Sequence, residues 1–194
     1  MGTVDTMADV IRLKTVAVGY GAAGKTCMYI RFARGEFPYE YVPTVFENYV
    51  ADGDVNGQSY ELGLWDTVGG EDYYRSRPLS YPDTDVLILV FNIAGSLANF
   101  EEIHSHWCGE LRYMCPDVPI ILVGSKTDLR DNGLTKISTV EGEAMAKKIG
   151  AAKYMEISSL EDKGVTELFE EVVCIGLHYN TTVKGKKKRK CSIL

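Results

Sequence analysis

Short apolar runs alternate with amphipathic stretches along most of the chain, and the alternation is regular enough to name elements. Residues 13–18 read as a strand and residues 24–33 as a helix. Residues 47–55 and 58–66 alternate like two half-buried strands, and Asn56-Gly57 between them is a strong hairpin signal. Residues 86–91 and 120–123 are continuous apolar runs, as expected for parallel strands buried on both faces. Helical stretches follow each, at residues 96–113 and 140–149. Residues 154–157 form a last short strand. Residues 165–177 form a last amphipathic helix, with Val165, Leu168, Phe169, Val172 and Val173 on one stripe. The pattern predicts an α/β fold: a six-stranded, mostly parallel sheet with one antiparallel hairpin strand and helices on both faces. Ligands bind such sheets at the carboxyl ends of the strands.

The 194 residues suit one domain, and the pattern divides them into an N-terminal extension (1–11), a folded domain (12–178) and a tail (179–194). The longest clean apolar run, Val86 to Phe91, falls far short of the ~18 residues that span a bilayer, and no apolar stretch follows the N-terminus as a secretory signal would. The net charge of -6 conceals an asymmetry. From Lys184 on there are six cations and no acid, which leaves 15 cations against 27 acids in the rest, a net of -12. An acidic body argues against nucleic-acid binding, and a basic tail argues for an anionic surface. Five scattered cysteines without an export signal read as reduced cytosolic thiols. His104, His106, Cys108 and Cys115 lie on a helical stretch that turns them to different faces, so they read as surface histidines and packed cysteines.

The first strand runs directly into Gly19-Tyr20-Gly21-Ala22-Ala23-Gly24-Lys25-Thr26. This is G-x-x-x-x-G-K-[ST] between a strand and a helix, the context that confirms a phosphate-binding loop. Gly21, Ala22, Ala23 and Gly24 are small enough for backbone N–H groups to curl around phosphate oxygens, and the helix N-terminus adds partial positive charge. Lys25 is placed to bridge the β- and γ-phosphates, and Thr26 to put its hydroxyl on Mg²⁺. The fold expected is that of a P-loop NTPase.

After residues 120–123 comes Gly124-Ser125-Lys126-Thr127-Asp128. A guanine reader must accept from N1–H and N2–H₂ together, which one carboxylate does and which adenine does not offer. Here the chain resembles the small GTPases, whose [NT]-K-x-D motif holds guanine. The resemblance implies that Asp128 forks onto the base, that Lys126 lies along the ring, and that Cys27 and Leu129 complete the nucleotide contacts. Ser125 keeps a hydroxyl but lacks the reach of the usual amide, so a weaker loop tether is expected. Ser158-Ser159-Leu160 resembles the S-A-K segment: a backbone N–H near Ser159 would read guanine O6, while Leu160 replaces the usual lysine. Asp66-Thr67-Val68-Gly69 resembles D-x-x-G, with Asp66 holding Mg²⁺ through water and the Gly69 N–H meeting the γ-phosphate. Residues 37–44 resemble switch I, with Phe37 over the guanine edge, Tyr41 in the loop, and Thr44 on Mg²⁺ in the GTP form.

Residues 41–49 and 77–85 resemble the Rho family within the Ras superfamily. That implies a monomeric GTP/GDP switch acting on the actin cytoskeleton, with exchange factors, GTPase-activating proteins, a dissociation inhibitor and effectors such as formins or kinases as partners. The chain departs from Rho proteins in three ways. The connector after Asp128 has room for little or none of the Rho insert helix. Tyr20 replaces the usual Asp, at a position expected to point away from the phosphates. Gly70 stands where a glutamine orients the attacking water, so that of the catalytic set Lys25, Thr44, Gly69 and Gly70 the last contributes no side chain, and slow hydrolysis is expected. A GTP-binding interaction module that barely hydrolyses is the alternative. A phosphotransferase would need an acceptor site and a lid, and the sequence offers neither. Cys191-Ser192-Ile193-Leu194 fits a C-a-a-X geranylgeranylation signal, and the cations at 186–190 supply the second signal that stable anchoring needs. The expected location is the cytoplasm and the cytoplasmic face of the plasma membrane.

Overall fold

A computed structural model describes residues 10–40, 47–55, 57–70, 75–130 and 132–184. Six strands, β1 (Ile11–Val18), β2 (Glu47–Val55), β3 (Gln58–Asp66), β4 (Val86–Asn92), β5 (Ile120–Ser125) and β6 (Lys153–Ile157), form one sheet in the order β2-β3-β1-β4-β5-β6. Only the β2–β3 pair is antiparallel. It closes across Gly57, which sits at φ +77°, as the Asn-Gly signal predicts. β1 has β3 on one side and β4 on the other, so the strand order reverses at its carboxyl end and a crevice opens there.

The period-2 alternation of the strands explains how both faces are covered. Ala17, Leu62, Leu64, Ile88, Val90, Ile121 and Val123 face α1 (Lys25–Arg34) and α5 (Val165–Tyr179), which contribute Met28, Tyr29, Leu168, Phe169, Val172 and Val173. Val16, Val18, Leu87, Leu89, Ile120 and Leu122 face the opposite layer, where Ile103, Trp107, Leu111, Met145 and Ile149 pack. α4 (Thr139–Ile149) begins with a full capping box, Ser138 and Glu141 satisfying each other's backbone N–H groups. Among the described residues no helix is long and apolar enough to cross a membrane.

Two features add detail to the expected elements. The helix expected at 96–113 is not uniform: α2 (Leu97–Glu102) passes through a π-helical turn (Ile103–Trp107) into α3 (Cys108–Met114). The wider turn carries Trp107 inward, where it is 2% exposed and holds the Arg77 guanidinium 4.3 Å above its ring. Arg77 also makes two hydrogen bonds to the Glu110 carboxylate, at 2.9 and 2.5 Å. Hydropathy does not report helix winding, so this turn leaves no trace in the apolar pattern. Second, helical backbone continues past residue 178, through Asn180–Lys184, and Tyr179 is buried. The Lys184 ammonium donates to Asp85 Oδ1 at 2.7 Å, so the start of the basic segment is fastened to the amino end of β4.

Phe169 is fully buried and stacks on Phe32 with centroids 3.9 Å apart. Phe169→Ala should therefore lower unfolding stability by about 3–5 kcal/mol, measured by denaturant titration at fixed nucleotide concentration. A loss below 1 kcal/mol would show that this layer is not the core of the domain.

Candidate nucleotide-binding site

The loop leaving β1 is shaped by backbone it cannot avoid. A Cβ on Gly19 would lie 2.1 Å from the carbonyl oxygen of Val90 in β4, so only glycine passes there. Ala22 (φ +57°) and Gly24 (φ +93°) both take positive φ. Left-handed residues within such a loop turn successive N–H groups into an anion-binding concavity, and the start of α1 opens at the same place. Ala22 is strained to do so, which fits a functional loop.

Lys25 folds back under this loop. The residue is 5% exposed, and its ammonium donates to the carbonyls of Gly19 and Tyr20, both at 2.9 Å. Two of its three donors are thus engaged with the loop, and the third is the one a phosphate oxygen can take. Burial pushes its pKa down to about 8, against the opposing pull of Asp66. Tyr20 itself turns away, as expected: its hydroxyl bonds the Glu102 carboxylate and its ring meets Trp107 edge-on at 5.4 Å.

Thr26 Oγ1 donates to Asp66 Oδ2 at 2.6 Å. Asp66 ends β3 fully buried, and Thr67 pins the following turn by donating to the Ala17 carbonyl at 2.7 Å. The turn then crosses directly over the phosphate loop. A Cβ on Gly69 would lie 2.5 Å from the Gly21 nitrogen, so Gly69 is fixed by close approach rather than by φ. Gly70 follows, half-buried. A hydroxyl and a carboxylate oxygen converging beside the phosphate loop are hard donors that suit Mg²⁺, and Thr26 and Asp66 would hold it. Thr44 and Tyr41 lie outside the described residues. Phe37 is half-buried and meets Tyr39 edge-on at 5.3 Å. Cys27 is half-buried on α1 and burial pushes its thiol up, Lys126 opposing.

The other half of the site lies at the ends of β5 and β6. Ser125 Oγ sits 2.5 Å from the Ala23 carbonyl and 2.9 Å from that of Phe91. β5 lies close enough that this short hydroxyl reaches both the phosphate loop and β4, bonding one carbonyl at a time. Lys126 sits at φ +65°, and its Cε would lie 4.0 Å from a Cβ on Gly24, so its stem runs beside the loop. Asp128 and Leu129 belong to the 3₁₀ turn Thr127–Leu129. Asp128 Oδ1 accepts from Ser158 Oγ at 2.6 Å, joining the two loops expected to hold the base. Ser159 is buried, Leu160 is exposed, and both carbonyls accept from the Arg31 guanidinium, at 2.8 and 3.4 Å. Arg130 forks onto Glu156 at 2.7 and 2.9 Å, and Tyr154 donates to the same carboxylate at 2.8 Å. Burial pushes the Glu156 pKa up, but these bonds outweigh it and hold it below the usual range. Arg31, Arg130 and Glu156 were not foreseen from the sequence. The contacts of Arg31 with the Ser159 and Leu160 carbonyls and of Arg130 with Glu156 join residues 26 to 129 apart, and no spacing rule links them.

Residues 14–175 match the Ras family when the chain is compared with known protein families. The chain belongs to the Ras family. The six-stranded sheet with its single antiparallel pair is the fold expected of that family. Ras-family proteins are small GTPase switches: they bind GTP and GDP with Mg²⁺, hydrolyse GTP, and engage exchange factors, GTPase-activating proteins and effectors.

The Lys25 environment makes nucleotide affinity pH-dependent. Bound phosphates favour the charged ammonium. Below about pH 8 the free site already carries that charge, and affinity should be flat. Above it binding must take up a proton, so GDP affinity should fall by up to about tenfold per pH unit. Calorimetry at pH 8.5 in buffers of different ionisation enthalpy should register the uptake, and Lys25→Met should remove it. Equal heats for the wild type in all buffers would contradict this.

Proposed function

We propose that the protein is a Rho-like GTP/GDP switch with slow intrinsic hydrolysis, working at the cytoplasmic face of the plasma membrane and directed to the actin cytoskeleton. The observation that carries the switch reading is the contact of Gly69 with the phosphate loop. A γ-phosphate seated on that loop meets the turn after β3 directly, so its presence or loss moves the segment that follows. The Rho assignment rests on residues 41–49 and 77–85, and formins or kinases are the effectors it implies, with a dissociation inhibitor among the regulators.

In this reading Lys25 and the loop N–H groups hold the phosphates, Asp128 and the Ser158–Leu160 loop hold guanine, and Phe37 and Tyr41 border it. Thr26, Thr44 and Asp66 hold Mg²⁺, which supplies counter-charge to the β- and γ-phosphates. The Gly69 N–H meets the γ-phosphate, and nothing at position 70 orients the attacking water. Arg77 is unavailable as an internal cation for the transition state, because Glu110 and Trp107 already hold it. Gly70 also favours a second reading, a GTP-binding module that barely hydrolyses.

Single-turnover assays separate the two. Intrinsic hydrolysis should run at or below roughly 10⁻⁴ s⁻¹. Gly70→Gln should raise the rate stimulated by an activating protein at least tenfold, and Gly70→Ala should not. A wild type as fast as Gly70→Gln under saturating activator would reject this account of the site. Membrane attachment is expected to need both tail signals. Cys191→Ser should leave the protein cytosolic, and neutralising the cations at 186–190 should reduce plasma-membrane enrichment without removing the lipid. Persistent membrane binding of Cys191→Ser would rule out prenylation as the anchor.

A further inference from the structure

The loop from Ser158 to Lys163 is held from two sides. On one side Ser158 Oγ donates to Asp128 and accepts from the Glu161 N–H at 3.1 Å, while the Ser158 and Lys163 backbones exchange hydrogen bonds at 3.0 Å. On the other side stands a single side chain, Arg31 of α1. Its Nε donates to the Ser159 carbonyl at 2.8 Å and its Nη2 to the Leu160 carbonyl at 3.4 Å. Its remaining nitrogen, Nη1, donates to the Gly35 carbonyl at 2.8 Å, just beyond the end of α1. All three guanidinium nitrogens are therefore committed, and the planar fork is fixed in orientation.

We propose that Arg31 is a positioning residue for guanine recognition, setting the backbone at Ser159 that reads O6. The inference rests on the guanine reading of Asp128 and the Ser158–Leu160 loop. The physical step is peptide planarity. The N–H of Ser159 belongs to the peptide joining Ser158 to Ser159. Ser158 is fixed by Asp128 and by Lys163. The next peptide plane is fixed because Arg31 holds its oxygen. With both flanks held, the Ser159 N–H has one direction rather than a range, and a preorganised donor binds its acceptor more tightly than one that must be ordered on binding. Leu160 is 45% exposed and its side chain offers no polar atom, so the loop takes this restraint from α1. Because Arg31 lies six residues after Lys25 on the same helix, one rigid element sets both the phosphate contact and the O6 contact.

The test compares release of GDP with release of 6-thio-GDP, which keeps both donors for Asp128 but replaces O6 with the poorer acceptor sulfur. A reductant is kept present because Cys27 is half-exposed. Arg31→Met, which keeps an apolar stem, should speed GDP release at least fivefold and 6-thio-GDP release less than twofold. Arg31→Lys, which can reach one carbonyl but cannot fork, should fall between Arg31→Met and the wild type for GDP. The thermal midpoint of each GDP-bound variant reports on the fold. Equal acceleration of both nucleotides would overturn the proposal, since that is what a loosened α1 or a displaced Phe37 segment produces. No acceleration of either would overturn it as well. A wild type that releases GDP and 6-thio-GDP at the same rate would instead refute the O6 reading on which the proposal stands.

Discussion

An ammonium ion held almost out of water is the constraint around which this molecule is arranged. Among the described residues Lys25 donates to two backbone carbonyls of its own loop, and burial depresses its pKa to about 8. Two such bonds do not replace full hydration, so among the described residues the ammonium is short of partners. That shortage is the source of its affinity for phosphate oxygens. It also requires the loop to keep its shape, because a loop that relaxed outward would release the carbonyls and hydrate the lysine. The strained Ala22 and the obligatory Gly19 are the local consequences.

The loop keeps its shape because rigid neighbours press on it from several directions. β4 closes one side at Val90, the turn after β3 covers it at Gly69, and β5 reaches it through Ser125. Each contact comes from the carboxyl end of a different strand, which is why the site sits where β1 parts its two neighbours. Tyr20 extends the arrangement outward, through Glu102 and Trp107 to Arg77, which follows Gly69 in the chain. The phosphate loop and that far segment therefore share a side-chain path built on the π-helical turn, and such turns recur where a helix serves a functional site.

Most of the architecture was legible in the sequence because burial writes itself as periodicity. β4 and β5 are continuous apolar runs, β2 and β3 alternate, and α5 carries its stripe at the expected positions. The phosphate loop was legible for another reason: its chemistry needs particular residue types at fixed local spacing. What stayed hidden is side-chain geometry between distant segments. Nothing in the alternation of apolar and polar residues distinguishes an Arg31 that bonds Ser159 from one left in solvent. The reach of Ser125 cannot be read from its side chain alone, because the distance it spans is set by how closely β5 lies to the phosphate loop and β4. The winding of residues 103–107 was invisible because a π-helical turn changes which face a residue occupies without changing which residues are apolar.

If position 70 orients the attacking water, as proposed, the same geometry makes its lack of a side chain matter more than it would in a loose loop. Catalysis of phosphoryl transfer depends on positioning and charge, with little covalent work for the protein. The phosphate side of this site is already preorganised: the ammonium is buried, the loop is braced, and Thr26 is bonded to Asp66. Further tightening there would bind the ground state and the transition state alike and leave the rate unchanged. The water side is where a gain remains available, and glycine contributes nothing to it beyond backbone freedom. On that proposed reading, the timing of hydrolysis is left to whatever completes the second side of the site.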